Sequence, residues 1–294
     1  MFKNVNIVGV GSYHPQTKVD NQYFINHFKS YQLEEHAEAL MNKLGREIRT
    51  IAEEGETSIS MAVDVAREAI KHSGLTSDDI DMIISVSDTP EYLSPCCALL
   101  IKHKLEAKNA HGVFDMNSNC IGMLTAMDGA AAIILEKTEE AEERGMLGSR
   151  MFTDDSYYWS ITMPVCGISN IANEEINNED KKMLWKPFDF SFLSDKWTEL
   201  ITNLLLDYGY GPDNVSHYFM SQFSKTDLDH TMASLGTDMK DCIYIGNKYG
   251  YTGCTSPIMA LDDKLKSHKF KKDEIIVFCS VASGYSMTAL LYEW

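Results

Sequence analysis

The chain has 294 residues, 44% hydrophobic and 23% charged, which is enough apolar mass for one large globular domain or two fused halves. No uncharged apolar run reaches membrane-spanning length, and Met1-Phe2-Lys3-Asn4 lacks the apolar core of a signal peptide. The net charge of −17 repels nucleic acid and anionic lipid, and an acidic carrier protein meets the same repulsion, so each would need a local basic patch. Seven cysteines, an odd number without metal-ligand spacing and with Cys96 beside Cys97, fit a reducing cytoplasm better than a disulfide framework.

In chain order, residues 4–10 read as a strand ending at Gly11-Ser12, and residues 33–44 have helical composition. Glu56-Thr57-Ser58 opens a helix through His72, with Ile59, Val63, Ala66 and Ile70 on one face and Gly74 as C-cap. Residues 81–87 suit a buried strand, and Ser94-Pro95 predicts a helix with Pro at its first position, running to Leu105. Residues 113–116 form a short apolar strand, Asn117, Ser118 and Asn119 are turn and N-cap residues, and Cys120 opens a helix. At such a position the helix's partial positive charge and free amides lower a thiolate's pKa. The same amides suit a developing oxyanion on a thioester carbonyl. The unit has what an acyl-enzyme nucleophile needs, while a buried structural cysteine fits this stretch equally well.

The second half repeats the order. A helix over 192–208, a strand Val215–Met220, a helix over 227–235, a strand over 242–246 and a turn at Gly250-Tyr251-Thr252-Gly253 lead to a helix over 257–265. Strands over 274–279 and 287–292 close the chain. The clearest trace of duplication pairs Gly74-Leu75-Thr76-Ser77-Asp78 with Gly209-Tyr210-Gly211-Pro212-Asp213, each a helix stop, a polar turn and then a strand. The alternation of helix and strand predicts an α/β fold of two pseudo-symmetric halves, residues 1–144 and 145–294. Their mixed five-stranded sheets would be covered by helices on both faces, with Cys120 and the Tyr251 turn beside a pseudo-twofold axis. The halves do not match in length. After Cys120 there is room for one short helix and one strand, 130–136, before the charged segment 137–144; the alternative is one long helix over 120–143.

With the cysteine and the repeat in place, the chain resembles the thiolase-like superfamily, in particular its 3-oxoacyl-carrier-protein synthase III branch. The resemblance is carried in order by Ile7-Val-Gly-Val-Gly-Ser-Tyr-His-Pro15, residues 78–86, and Phe114-Asp-Met-Asn-Ser-Asn-Cys120. It continues through Leu147-Gly-Ser-Arg-Met-Phe-Thr-Asp154, Tyr218-Phe-Met-Ser-Gln-Phe223, Gly250-Tyr-Thr-Gly-Cys-Thr-Ser-Pro257 and Ser283-Gly-Tyr285. Family members carry a further segment near the position of 127–129, and their Gly-Asp-Gly-Ala strand opening resembles Met127-Asp128-Gly129-Ala130, which favours the strand over 130–136.

The resemblance implies a cytoplasmic acyltransferase in fatty-acid or polyketide-type biosynthesis, with Cys120 forming the acyl-enzyme. Its substrate would be an acyl-CoA or acyl-carrier-protein thioester, with no cofactor and no metal. The family's histidine and asparagine fall on Ser221 and Tyr251. Serine donates one neutral hydrogen bond but cannot act as an imidazole base, and tyrosine is a longer, bulkier donor. Gln222 is a third candidate donor. Gly284 is the candidate oxyanion amide, Phe223 a lining residue beside Phe219, Met123 and Met127, and Lys225 the candidate phosphate contact. The aromatic residue that stacks on coenzyme A's adenine is replaced near Ala39 or Leu40. None of the nine histidines is placed to activate Cys120, and His217, four strand positions before Ser221, is expected outside the site. As partners the resemblance implies a homodimer, or a heterodimer with a related ketosynthase, through residues 113–116, with an acyl carrier protein as donor and neither nucleic acid nor a membrane span. The alternative function is a catalytically impaired partner subunit or ligand-binding homologue.

Overall fold

The computed structural model describes residues 5–129, 134–137 and 144–294. The chain opens with β1 (Val5–Gly9), then β2 (Thr17–Asp20), the helices α1 (Asn21–Lys29) and α2 (Glu34–Leu44), and β3 (Ile48–Ile51), which pairs antiparallel with β2. The helix α3 (Ser58–Ser73) begins at a capping box, in which Thr57 and Ser60 exchange side-chain and backbone hydrogen bonds. It ends at Gly74, whose φ of 75° is the left-handed cap expected of that glycine.

Next come β4 (Met82–Val86), α4 (Cys97–Leu105) and β5 (Gly112–Met116), with β4 and β5 a parallel pair packed against α3 and α4 through Ile59, Val63, Ile101 and Leu105. The helix predicted to start at Ser94-Pro95 starts at Cys97 instead. The Asp115 carboxylate on β5 accepts from the Cys97 and Ala98 amides at 2.7 and 2.8 Å, and this cap fixes where the helix begins. After β5, Cys120 lies in a one-turn 3₁₀ segment, Asn119–Ile121, followed by α5 (Gly122–Gly129) and β6 (Ile134–Lys137). The strand β6 excludes the long helix over 120–143. Asn4, residues 130–133 of the predicted strand and residues 138–143 of the charged segment lie outside the described residues.

The remainder comprises β7 (Gly145–Thr153), the short pair β8 (Ile161–Thr162) and β9 (Leu184–Trp185), α6 (Leu193–Asp207), β10 (Val215–Met220), α7 (Lys225–Leu235), α8 (Gly246–Tyr249), α9 (Ser256–Leu265), β11 (Ile275–Ala282) and β12 (Ser286–Glu293). A six-stranded mixed sheet runs β10-β11-β12-β7-β1-β6. Alternate residues of its strands face opposite sides. Tyr218, Met220, Val277 and Leu291 pack on Trp197, Ile201 and Leu204 of α6 and on Leu228 of α7. Phe219, Phe278 and Leu290 pack on Met123, Leu124 and Met127 of α5 and on Ile258 and Leu261 of α9.

The α/β class and the helices on both faces agree with expectation, but the strand layout differs from two separate five-stranded sheets. The strand β1 pairs with β6 on one side and touches β7 on the other at Val5–Gly145, while β4 and β5 form their own two-stranded sheet among the described residues. The duplication survives in detail. Gly74 and Gly209 share φ of 75°, and each is followed by a 3₁₀ turn, Ser77–Asp79 and Pro212–Asn214. Asp79 accepts from the Thr76 amide at 2.8 Å as Asn214 does from the Gly211 amide at 2.7 Å.

The predicted strand over 242–246 does not form; a single bridge between Tyr218 and Cys242 remains, and the chain turns into α8. The cause is Gln222, fully buried just after β10. Its Nε2 donates to the Met220 and Ile243 carbonyls at 2.9 and 3.1 Å, and its Oε1 accepts from the Ile245 and Gly246 amides at 2.8 and 3.2 Å. One carboxamide thus satisfies backbone groups that a strand partner would otherwise take. Gln222→Leu removes all four bonds at a fully buried position and is expected to cost roughly 3–5 kcal/mol, read from the denaturant midpoint at unchanged m-value.

Candidate active site

The turn that carries Cys120 is tied down from two sides. Asn119 has φ of 50°, a left-handed conformation that asparagine tolerates better than most residues, and its amide donates to Asn117 Oδ1 at 3.0 Å. Its side-chain amide reaches the Ser283 carbonyl at 3.5 Å, and Ser280 Oγ at the end of β11 donates to the Cys120 carbonyl at 2.8 Å. The thiol is half-buried, and the Tyr251 hydroxyl and the backbone at Ser283 and at Cys120 itself favour its ionised form.

Tyr251 follows Gly250, whose φ of 74° turns the chain toward the thiol. Burial and the neighbouring Cys120 thiol push its phenol pKa well above the ordinary range, so it stays protonated beside that thiol. Ser221 is fully buried, its amide bonded to the Cys279 carbonyl at 2.8 Å, and its Oγ lies 3.5 Å from the Tyr251 hydroxyl oxygen. The order is Ser221 to Tyr251 to Cys120, a line of neutral donors with the first link long.

The expected lowering of the thiol's pKa is not found. Burial pushes Cys120 up and nearby Asp88 adds to this, while Tyr251 and the two amides pull it back without prevailing. The physical reason is local. Cys120 precedes the eight-residue α5 inside a 3₁₀ turn, and the few amides that reach its sulfur do not outweigh the loss of water.

Several sequence candidates take other places. The amide beside the sulfur is that of Ser283, while Gly284 occupies the hairpin tip with φ of 75°. The carboxamide of Gln222 is consumed by the backbone bonds already described, so it has no donor left for a substrate. Lys225 Nζ is held by both Asp229 oxygens at 2.9 and 2.7 Å, which offsets the charge a phosphate would use. Met123, Met127 and Phe219 belong to the packed core. Phe223 does border the site, with its ring centroid 5.7 Å from that of Tyr251 and close to Phe190 and Trp185. His217 packs on His268 and Phe270, away from the thiol as expected.

Sequence reasoning missed Arg46. It is 6% exposed, donates through Nη2 to the Phe223 carbonyl at 2.7 Å, and places its guanidinium carbon 5.7 Å from the Tyr251 ring centroid. The available signal was slight: an arginine after Gly45, the glycine that ends α2. It also missed Ser280, whose hydroxyl contact carries no local motif, and it singled out Gly284 rather than Ser283 within the stretch Ser283-Gly-Tyr285.

The family description 3-oxoacyl-[acyl-carrier-protein (ACP)] synthase III C terminal matches residues 205–294. The beta-ketoacyl-[acyl-carrier-protein] synthase III of Neisseria meningitidis serogroup C is 22% identical over 327 aligned positions, covering 98% of each chain. An alignment longer than this chain's 294 residues requires positions in the relative that are missing here, in keeping with the short first half. The crystal structure of 3-oxoacyl-[acyl-carrier-protein] synthase III from Aquifex aeolicus matches with a TM-score of 0.82 at 19% identity, covering 99% of this chain and 100% of that one. That of a priming beta-ketosynthase from a polyketide biosynthetic pathway gives 0.84 at 18%, covering 98% and 96%. The chain thus matches the C-terminal model of the 3-oxoacyl-[acyl-carrier-protein] synthase III family over residues 205–294, and end to end it is similar in sequence and in fold to synthases of that kind.

Proposed function

We propose that the protein is an acyl-transferring enzyme in which Cys120 accepts an acyl group from a thioester, carried on coenzyme A or an acyl carrier protein, as a first step toward transfer or condensation. The observation that carries this reading is the half-buried Cys120 in a turn fastened to Ser280 and Ser283, where the neighbouring backbone and the Tyr251 hydroxyl favour its thiolate. Sγ attacks the thioester carbonyl, the amides receive the charge on its oxygen, the donor's carbon–sulfur bond breaks, and the Cys120 proton ends on the departing sulfur. The thioester is itself the activated group, so the transfer draws on no cofactor. We retain residues 1–144 and 145–294 as halves supplying the thiol and its partners respectively, a division that the twin turns support.

Condensation is the harder step. With Ser221 and Tyr251 at the positions of the family's histidine and asparagine, an enolate would meet neutral hydroxyl donors and no imidazole. The reading therefore favours acyl transfer over efficient malonyl decarboxylation. Ala39 and Leu40, at the position of the adenine-stacking aromatic, are exposed on α2, so a coenzyme A donor would have to be held by other contacts. We also propose a dimer through β5. Its outer edge has no strand partner among the described residues, and Phe114 on β5 and Met82 on β4 are 45% and 50% exposed.

Three outcomes are expected. Incubation with acyl thioesters adds one acyl mass to the intact protein, faster as pH rises because the thiol's pKa lies above the ordinary value. Cys120→Ala gains none. No adduct on the wild type would leave the partner-subunit reading. The double variant Ser221→His with Tyr251→Asn raises malonyl decarboxylation by roughly tenfold or more, measured as released carbon dioxide. No rise in a folded variant would mean that the pocket is remodelled beyond those positions. In sedimentation equilibrium the wild type has twice the chain mass and Phe114→Arg has the chain mass; a monomeric wild type would sink the dimer.

A further inference from the structure

Arg46 is a buried charge that the acyl-transfer chemistry leaves unused. Among the described residues no carboxylate pairs with it, although burying a guanidinium without one is costly. Its Nη1 is buried without a hydrogen-bond partner among the described residues, while the backbone that carries it is firmly held. Asn21 Nδ2 donates to the Arg46 carbonyl at 2.6 Å, and the Tyr244 hydroxyl reaches the Leu44 and Gly45 carbonyls at 3.0 and 2.9 Å, so the backbone on both sides is pinned. The facing wall is kept to glycine. The φ of Gly246 is not in the left-handed region, so its backbone conformation does not demand glycine. A Cβ there would lie 2.7 Å from Arg46 Nη1 and 2.6 Å from the Tyr244 hydroxyl, so space is what it supplies. From this pinned position the side chain reaches two neighbours of the thiol, the Phe223 carbonyl through Nη2 and the face of the Tyr251 ring.

We propose that Arg46 is a positioning residue: anchored on the Phe223 carbonyl, it clamps the Tyr251 ring so that the phenol hydroxyl stays on Cys120. The clamp acts through Tyr251 and rests on the assignment of that hydroxyl to the thiol. A planar guanidinium can hold a carbonyl in its plane and a ring against its face together, which an ammonium cannot. The cation also draws charge from the phenol ring, which makes its hydroxyl a stronger donor.

The test follows the rate of iodoacetamide alkylation at the Cys120 peptide across the pH range of thiol ionisation. It compares wild type, Arg46→Met, Arg46→Lys, Tyr251→Phe and the Arg46→Met/Tyr251→Phe double variant, each with its thermal transition recorded. A bond donated by Tyr251 favours the thiolate, so losing it raises the thiol's pKa and moves the profile to higher pH. Arg46→Met and Tyr251→Phe should each slow alkylation at neutral pH by roughly three- to tenfold, and the double variant should be no slower than Tyr251→Phe. Arg46→Lys should fall between Arg46→Met and wild type. A wild-type profile for folded Arg46→Met, or an equal slowing by Arg46→Met with and without the Tyr251 hydroxyl, overturns the proposal. Should Arg46→Met not fold, a wild-type profile for Arg46→Lys overturns it. Failure of the acyl-transfer reading shows separately, as a wild type that takes no acyl adduct while these profiles still shift.

Discussion

Tyr251 and Cys120, on two turns more than a hundred residues apart, each act on the other's ionisation, and the chemistry of the site follows from what a phenol can and cannot supply to a thiol. A protonated phenol can stabilise a thiolate by a single hydrogen bond. It cannot remove the thiol's proton and brings no positive charge. Desolvation therefore prevails, and Cys120 stays a thiol to higher pH than an exposed cysteine does. The proposed nucleophile would depend on an activated acyl donor and on neighbouring amides for the oxyanion, rather than on a resident base.

The fold brings the parts together through backbone anchors. Ser280 holds the Cys120 carbonyl, Asn119 reaches the hairpin at Ser283, and Gln222 fastens the end of β10 to the segment that leads into the Tyr251 turn. Ser221, next to Gln222, is thereby fixed within reach of Tyr251. The site consequently sits where the sheet's β10–β11 end meets two twin turns, Asn119–Ile121 and Gly253–Thr255, each opening a helix. The sheet's other edge, at β1 and β6, lies away from this junction.

Much of this was legible in the chain. The strand–turn–Cys120 unit, the left-handed stops at Gly74 and Gly209, the strand Val215–Met220 and the α6 helix are written in local periodicity and turn chemistry, and the structure has them near the expected boundaries. Other features depend on bonds between distant residues, which periodicity does not encode. The run 242–246 has strand composition, yet a buried glutamine twenty residues earlier takes its backbone groups. Pro95 suggested a helix start, but the cap comes from Asp115 on a later strand. The thiol's environment reads as activating from helix position alone, and only its burial and the approach of Asp88 reverse the sign. Arg46 was invisible because its partners are a backbone carbonyl and a ring face.

The most direct test of the central claim is a crystal structure of the protein after acylation by an acyl thioester donor. The account predicts an acyl group on Cys120 Sγ, its carbonyl oxygen within hydrogen-bond distance of the Ser283 and Cys120 amides, and the Tyr251 hydroxyl still against the sulfur. An acyl group on another cysteine, or a Cys120 adduct whose carbonyl oxygen points away from both amides, would contradict it.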